Sequence, residues 1–129
     1  MLMLDLDHFK PINDALGHEW GDKALVEVSN RLLKCTRATD TVARIGGDEF
    51  SIILLDVNSE TFANKMAEKI ITAIALPLAL KGTQYKIGVS IGVCLASPDD
   101  QDMEGIVSRS DTAMYRAKES GRSCYRISE

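Results

Sequence analysis

No apolar run in this chain approaches the roughly 18 consecutive residues that a membrane-spanning helix needs. The opening "MLML" is too short and wrongly flanked for a signal peptide, so a soluble, cytoplasmic segment without direct membrane contact is expected. Cysteine is scarce: Cys35, Cys94 and Cys124 form no CxxC or Cys/His pattern, which excludes a disulfide framework and a zinc site. They read as buried thiols in a reducing compartment. Positive charge is also short, with 15 Lys and Arg against 19 Asp and Glu and a net charge of −4. The densest basic stretch is Lys118–Arg122, too little to neutralise the backbone of a nucleic-acid polymer. There is no internal repeat, no low-complexity tract and no Pro/Ser-rich linker.

What is present fits one globular domain spanning residues 1–129, with 45% hydrophobic and 26% charged residues. Met1–Leu6 reads as a buried strand ending on acidic residues. A short helix and a loop follow, with Pro11 suited to a first helical turn and Gly17 to a stop. From Trp20 to Thr36, Ala24, Leu25, Val28, Leu32 and Cys35 recur at helical spacing. "TVARI" and "EFSIIL" predict a hairpin with Gly46-Gly47-Asp48 at its turn. Ser59 is a good N-cap for a helix carrying Phe62, Met66 and Ile70, with Pro77 marking its end. "LPLALKGTQYKIGVSIGVCLA" predicts two strands around a Lys81-Gly82 turn, the second long. A last helix carrying Ile106, Ala113, Met114 and Ala117 closes at Gly121, before a final strand "SCYRI". The fold class is α+β, a mainly antiparallel sheet flanked by helices.

Two acidic pairs hold the chemical interest. In "LDLDHF", Asp5 and Asp7 alternate and so share one face of a strand. Capping of the next helix explains a lone DxD as well as a site does, and Phe9-Lys10 stands where a calcium loop would need a further oxygen ligand and glycine. Asp48 and Glu49 are adjacent at a turn where their charges repel. A solvated type I′ turn accounts for them without any ligand. If the strand end and the hairpin tip are neighbours, the carboxylates suit Mg²⁺ held together with substrate phosphates, and the glycines let backbone amides approach a phosphate.

Four separated segments decide between these readings: "DLDHFKPINDALGHEWGDKAL", "RATDTVARIGGDEF", "SIGV" and "SDTAMYRAKESGR". In this order and at these spacings they resemble the GGDEF domain family, the diguanylate cyclases, over essentially the whole chain. The resemblance implies a fold similar to the palm of nucleotide polymerases, with a ferredoxin-like core, and condensation of two GTP into cyclic di-GMP and two pyrophosphates across a homodimer. By position, it implies that Asp5, Asp48 and the carbonyl of Leu6 ligate Mg²⁺ or Mn²⁺. Glu49 is implied as a further ligand or as the base for the attacking 3′-hydroxyl. Asn13 and Asp22 would read the guanine edge. Lys10, Lys118 and Arg122 would hold the triphosphate beside Gly46 and Gly47. Arg37 and Asp40 form an RxxD in register with the family's product-inhibition site.

The family's preceding segment, with a "DxLTGLxNR"-like stretch, is missing from the sequence, and Ser110 stands where alanine is usual. The chain is therefore expected to be a piece of a longer multidomain protein, and "AMYRAKESGRSCYR" resembles GGDEF portions followed by an EAL phosphodiesterase. The alternative to a cyclase is a non-catalytic module that binds GTP or cyclic di-GMP and regulates an attached domain.

Overall fold

The computed structural model describes residues 1–129. Its order is β1 (Leu2–Asp7), α1 (Lys10–Leu16), α2 (His18–Cys35), β2 (Thr41–Gly46), β3 (Glu49–Ile53), α3 (Glu60–Ile74), β4 (Leu78–Leu80), β5 (Thr83–Tyr85), β6 (Gly88–Val93), α4 (Met103–Glu119) and β7 (Tyr125–Ile127). A five-stranded sheet runs β2-β3-β1-β6-β7, antiparallel except for the parallel β6–β7 pair. The mainly antiparallel α+β expectation holds, with one parallel edge that makes the sheet mixed.

Every residue of β1 and of β6 is buried, so these strands lack the polar alternation of a sheet open to water on one face. Their side chains join those of α2 and α3 in one core, in which Leu4, Phe50, Ile52, Ile70 and Ile91 are almost fully enclosed. The stripe expected on α2 is the stripe buried: Ala24, Leu25, Val28, Leu32 and Cys35. Ser59 caps α3, its hydroxyl accepting from the Phe62 amide at 3.3 Å. At the far end of α3 the Arg31 guanidinium donates to the carbonyls of Ala73, Ile74, Leu76 and Pro77, satisfying groups a helix end leaves open.

Three expectations need correction. The long second strand after Lys81-Gly82 is two strands: β5 pairs with β4 in a separate ribbon, and β6 enters the main sheet beside β1. β-Branched composition marks extended chain but not the partner it pairs with. The Lys81-Gly82 turn itself stands, with φ of 51° and 76°, both positive as a type I′ turn requires. There is no loop between α1 and α2, because Gly17 alone, at φ 88°, turns one helix into the next. Cys35 and Cys94 are buried, but Cys124 is only partly so, with its thiol against the Ala117 carbonyl at 3.3 Å.

Gly92 sets the seat of α4. A Cβ there would lie 1.9 Å from the Ser110 carbonyl and 2.3 Å from the Met114 amide, so helix backbone rests directly on strand backbone. Ser110 is fully buried at this contact and satisfies its hydroxyl on the Ile106 carbonyl at 2.5 Å. This close docking carries the C-terminal turn of α4, with Lys118, to the end of β1.

Candidate active site

The site forms where central β1 ends. Asp5 sits in register with Glu49 of β3 on one side and Ser90 of β6 on the other. The hairpin tip is tied down by the Leu6 amide, which donates to the Asp48 carbonyl at 3.1 Å. β2 extends to Gly46 and β3 opens at Glu49, with a bulge between Arg44 and Gly46, so the tip is Gly47-Asp48. Of these two only Gly47 has a positive φ, 53°, and the type I′ geometry is therefore absent. A Cβ on Gly46 would meet nothing within 4 Å and its φ is not left-handed, so no contact inside the chain requires glycine there.

Lys118 Nζ lies 2.8 Å from Asp5 Oδ2. Burial pushes the Asp5 carboxyl above the usual range; the Lys118 hydrogen bond opposes this, while Asp48 and Asp7 add repulsion. Glu49 is raised by burial first, then by Asp5, Asp111 and Asp48, with Lys118 alone opposing. Five carboxylates, Asp5, Asp7, Asp48, Glu49 and Asp111, thus repel one another around the Lys118 ammonium, an arrangement that favours a further positive charge. No three Asp, Glu, His or Cys side chains are gathered into a protein-only metal cage. Mg²⁺ does not require such a cage, since it is commonly held by one or two carboxylates with its shell completed by water and phosphate oxygens.

A cleft of about 470 Å³ opens here, lined by Asp5, Asp7, Asp48, Lys10, Lys118 and Arg122 with the backbone of Leu6 beside them. Asn13 and Asp22 stand apart from it. Asp22 borders a shallow hollow with Asn30 and Arg44, and the Asn13 carboxamide is pressed onto Gly21, where a Cβ would be 1.6 Å from Oδ1. Arg37 and Asp40 lie at the opposite end of β2, about 20 Å of strand from the tip. They form a preassembled fork: Nε to Oδ2 at 3.1 Å, Nη2 to Oδ1 at 2.9 Å and the Arg37 amide to Oδ2 at 2.8 Å. The guanidinium also donates to the Leu55 carbonyl and lies 4.9 Å from the centre of the Phe62 ring, and it holds the Asp40 carboxyl below its ordinary range.

Sequence reasoning missed Asp111, Gly21 and Gly92. Asp111 and Lys118 are seven residues apart on α4 and so share a face, which was a usable signal. The glycine contacts had none.

The family model for the diguanylate cyclase GGDEF domain matches residues 1–124. The chain belongs to the GGDEF domain family. It is 41% identical over 125 residues to the bifunctional diguanylate cyclase/cyclic di-GMP phosphodiesterase MucR of Pseudomonas aeruginosa, covering 97% of this chain and 18% of MucR. It is 39% identical over 122 residues to the cyclic di-GMP phosphodiesterase PdeR of Escherichia coli, covering 95% of this chain and 18% of PdeR. The crystal structure of the GGDEF domain of YfiN from Pseudomonas aeruginosa superposes with a TM-score of 0.94 at 36% identity, over 99% of this chain and 80% of that one. This GGDEF domain therefore spans less than a fifth of the two curated relatives. Its palm-like α+β fold is that of the solved family members. No helix in it is long and apolar enough to cross a membrane.

Proposed function

We propose that this GGDEF domain is a diguanylate cyclase domain, condensing two GTP into cyclic di-GMP with release of two pyrophosphates. The observation that supports this best is the pairing, in one open cleft, of crowded carboxylates with three cations, Lys10, Lys118 and Arg122. Asp5 and Asp48, with the Leu6 carbonyl, hold Mg²⁺ or Mn²⁺. When bound, the cation neutralises charge on the phosphates during displacement at the α-phosphorus. Glu49 either completes the ligand set or takes the proton of the attacking 3′-hydroxyl. Lys10, Lys118 and Arg122 hold the triphosphate, and the bare backbone at Gly46 and Gly47 leaves room for it. Each 3′-hydroxyl attacks a nucleotide held by another copy of the chain, so catalysis needs a homodimer. Arg37 and Asp40, remote from the cleft and already ordered, form the product-inhibition site for cyclic di-GMP.

Asn13 and Asp22 select guanine, an amide and a carboxylate matching its acceptor and donor edge. Gly21 is what lets the Asn13 amide lie where it does. Gly21→Ala is expected to leave the fold intact while displacing that amide, cutting the preference for GTP over ATP by about tenfold, the scale of one lost hydrogen bond to a buried polar group. Competition binding with the two nucleotides measures it.

The deciding experiment incubates the protein at high concentration with GTP and Mg²⁺ and separates the products by chromatography, with Asp48→Ala alongside. Cyclic di-GMP from the parent and none from the variant is the expected result. Neither product nor Mg²⁺-dependent GTP binding would sink the proposal. Binding without product, lost in Asp48→Ala, would favour the second reading, a regulatory nucleotide-binding module; the relatedness to PdeR, named as a phosphodiesterase, is what keeps that reading in play.

A further inference from the structure

Asp7 is the best-buried ionisable side chain at the cleft, with no side-chain exposure. Both its oxygens are occupied. The Ser90 hydroxyl reaches Oδ1 at 2.8 Å and Oδ2 at 3.0 Å, and the Ser123 amide donates to Oδ2 at 2.9 Å. Arg122 Nε stands 3.8 Å from Oδ1. With no side-chain exposure and both oxygens already facing donors of the chain itself, Asp7 is less available as a metal ligand than Asp5, although the two share a strand face.

The partners of Asp7 lie on an unusual piece of chain. Gly121, Arg122 and Ser123 are consecutive residues with φ of 109°, 65° and 46°. Left-handed backbone is disfavoured for the two that carry a Cβ, so the turn needs outside restraint to persist. One restraint is the Arg122 amide, which donates to the Ala117 carbonyl at 3.2 Å. The other is Asp7, 116 residues away in sequence. Gly88 leaves room beside this contact: a Cβ there would lie 2.3 Å from Ser123 Oγ, a hydroxyl that would have to rotate away, and 3.4 Å from Asp7 Oδ2.

We infer that Asp7 is a positioning residue, whose buried carboxylate clamps the left-handed Arg122–Ser123 turn to the end of β1 and so aims the Arg122 guanidinium into the cleft. The inference rests on the reading of that cleft as a triphosphate site. The clamp explains how an exposed arginine beyond the end of α4 is held in one place: the neighbouring backbone is fixed by a carboxylate that is itself fixed by Ser90. It also separates the two aspartates of the DxD. Asp5 faces the cleft, and Asp7 serves the arginine beside it.

Two measurements test it on Asp7→Ala and Arg122→Ala, with Ser90→Ala as the substitute if Asp7→Ala does not fold. The first is the rate of tryptic cleavage after Arg122, which needs no nucleotide. Loosening of the turn is expected to speed this cut about tenfold in Asp7→Ala without changing the cuts elsewhere; an unchanged rate in the folded variant overturns the clamp. The second is affinity for inorganic tripolyphosphate and for guanosine. Asp7→Ala is expected to weaken tripolyphosphate binding about tenfold, as expected for a charged hydrogen bond, and to leave guanosine binding unchanged. Adding Arg122→Ala to Asp7→Ala should then cost nothing more, whereas a general structural defect would multiply with it. Multiplying losses, or a faster cut with unaltered tripolyphosphate binding, would overturn the aiming role. If the parent binds no polyphosphate, the triphosphate reading fails, and the tryptic rates still decide whether Asp7 holds the turn.

Discussion

Glu49→Gln is expected to lower GTP condensation about a thousandfold, the scale of losing a preorganised charge-stabilising group, and at the same time to raise the melting temperature of the metal-free domain. The two effects have opposite signs for one reason. Burial and the neighbouring Asp5, Asp111 and Asp48 push the Glu49 carboxyl above its ordinary range, so the folded domain holds that proton more firmly than the unfolded chain does. The stability gained is complete below the unfolded pKa and is lost as the pH rises through the folded one. At neutral pH the metal-free fold carries a carboxylate it would be more stable without, and glutamine removes the charge while keeping the shape. Mg²⁺ should raise the parent's melting temperature at neutral pH, and the variant's by less. Thermal melts at pH 4 and pH 7, with and without Mg²⁺, check the stability half and product chromatography the other. A variant that melts lower than the parent at neutral pH, or that keeps making product, would contradict this account of the site.

The same comparison of costs explains which parts of this domain are legible in its sequence. Arg37 and Asp40 are three residues apart, and their fork is a local structure that spacing alone suggests. The α2 stripe and the Ser59 cap are local in the same sense, set by helical period and by one side chain's reach to its own helix. The hairpin tip was legible because Gly47 and two flanking strand runs specify it within a dozen residues. What could not be read depends on pairing between distant segments. β5 (Thr83–Tyr85) and β6 (Gly88–Val93) are divided by the choice of partner, β4 for one and β1 for the other, a choice that strand propensity alone does not reveal. Asp7 looks like a second site carboxylate until Ser90, 83 residues later, and Ser123 are seen to fill its oxygens. The motif identified Asn13, but only the packed corner between α1 and α2 shows that Gly21 determines where its amide lies.

Glycines bring out this difference between local and distant causes most sharply, and two of them should behave in opposite ways. Gly92→Val is expected to destabilise the domain by about 3 kcal/mol or more, the upper range for overpacking, out of a total of roughly 5–15 kcal/mol for a domain. Its Cβ would meet the Ser110 carbonyl, the Met114 amide and, at 2.9 Å, the Met114 Cα, all backbone of a helix that cannot yield by a rotamer change. Relief requires α4 to lift from β6, which uncovers Ala113, Met114 and Ala117 and withdraws Lys118 from Asp5. Gly46→Ala should leave stability within about 0.5 kcal/mol, as for a surface substitution that touches nothing, because the new methyl group points into open space. The proposed function puts the phosphates against that bare backbone, so Gly46→Ala should weaken GTP binding with an unchanged urea midpoint, while Gly92→Val should lower the midpoint first and binding with it. A Gly92→Val protein as stable as the parent would mean that α4 is not seated on β6 as described. A Gly46→Ala protein that binds GTP normally would mean that the tip's bare backbone is not where the phosphates lie.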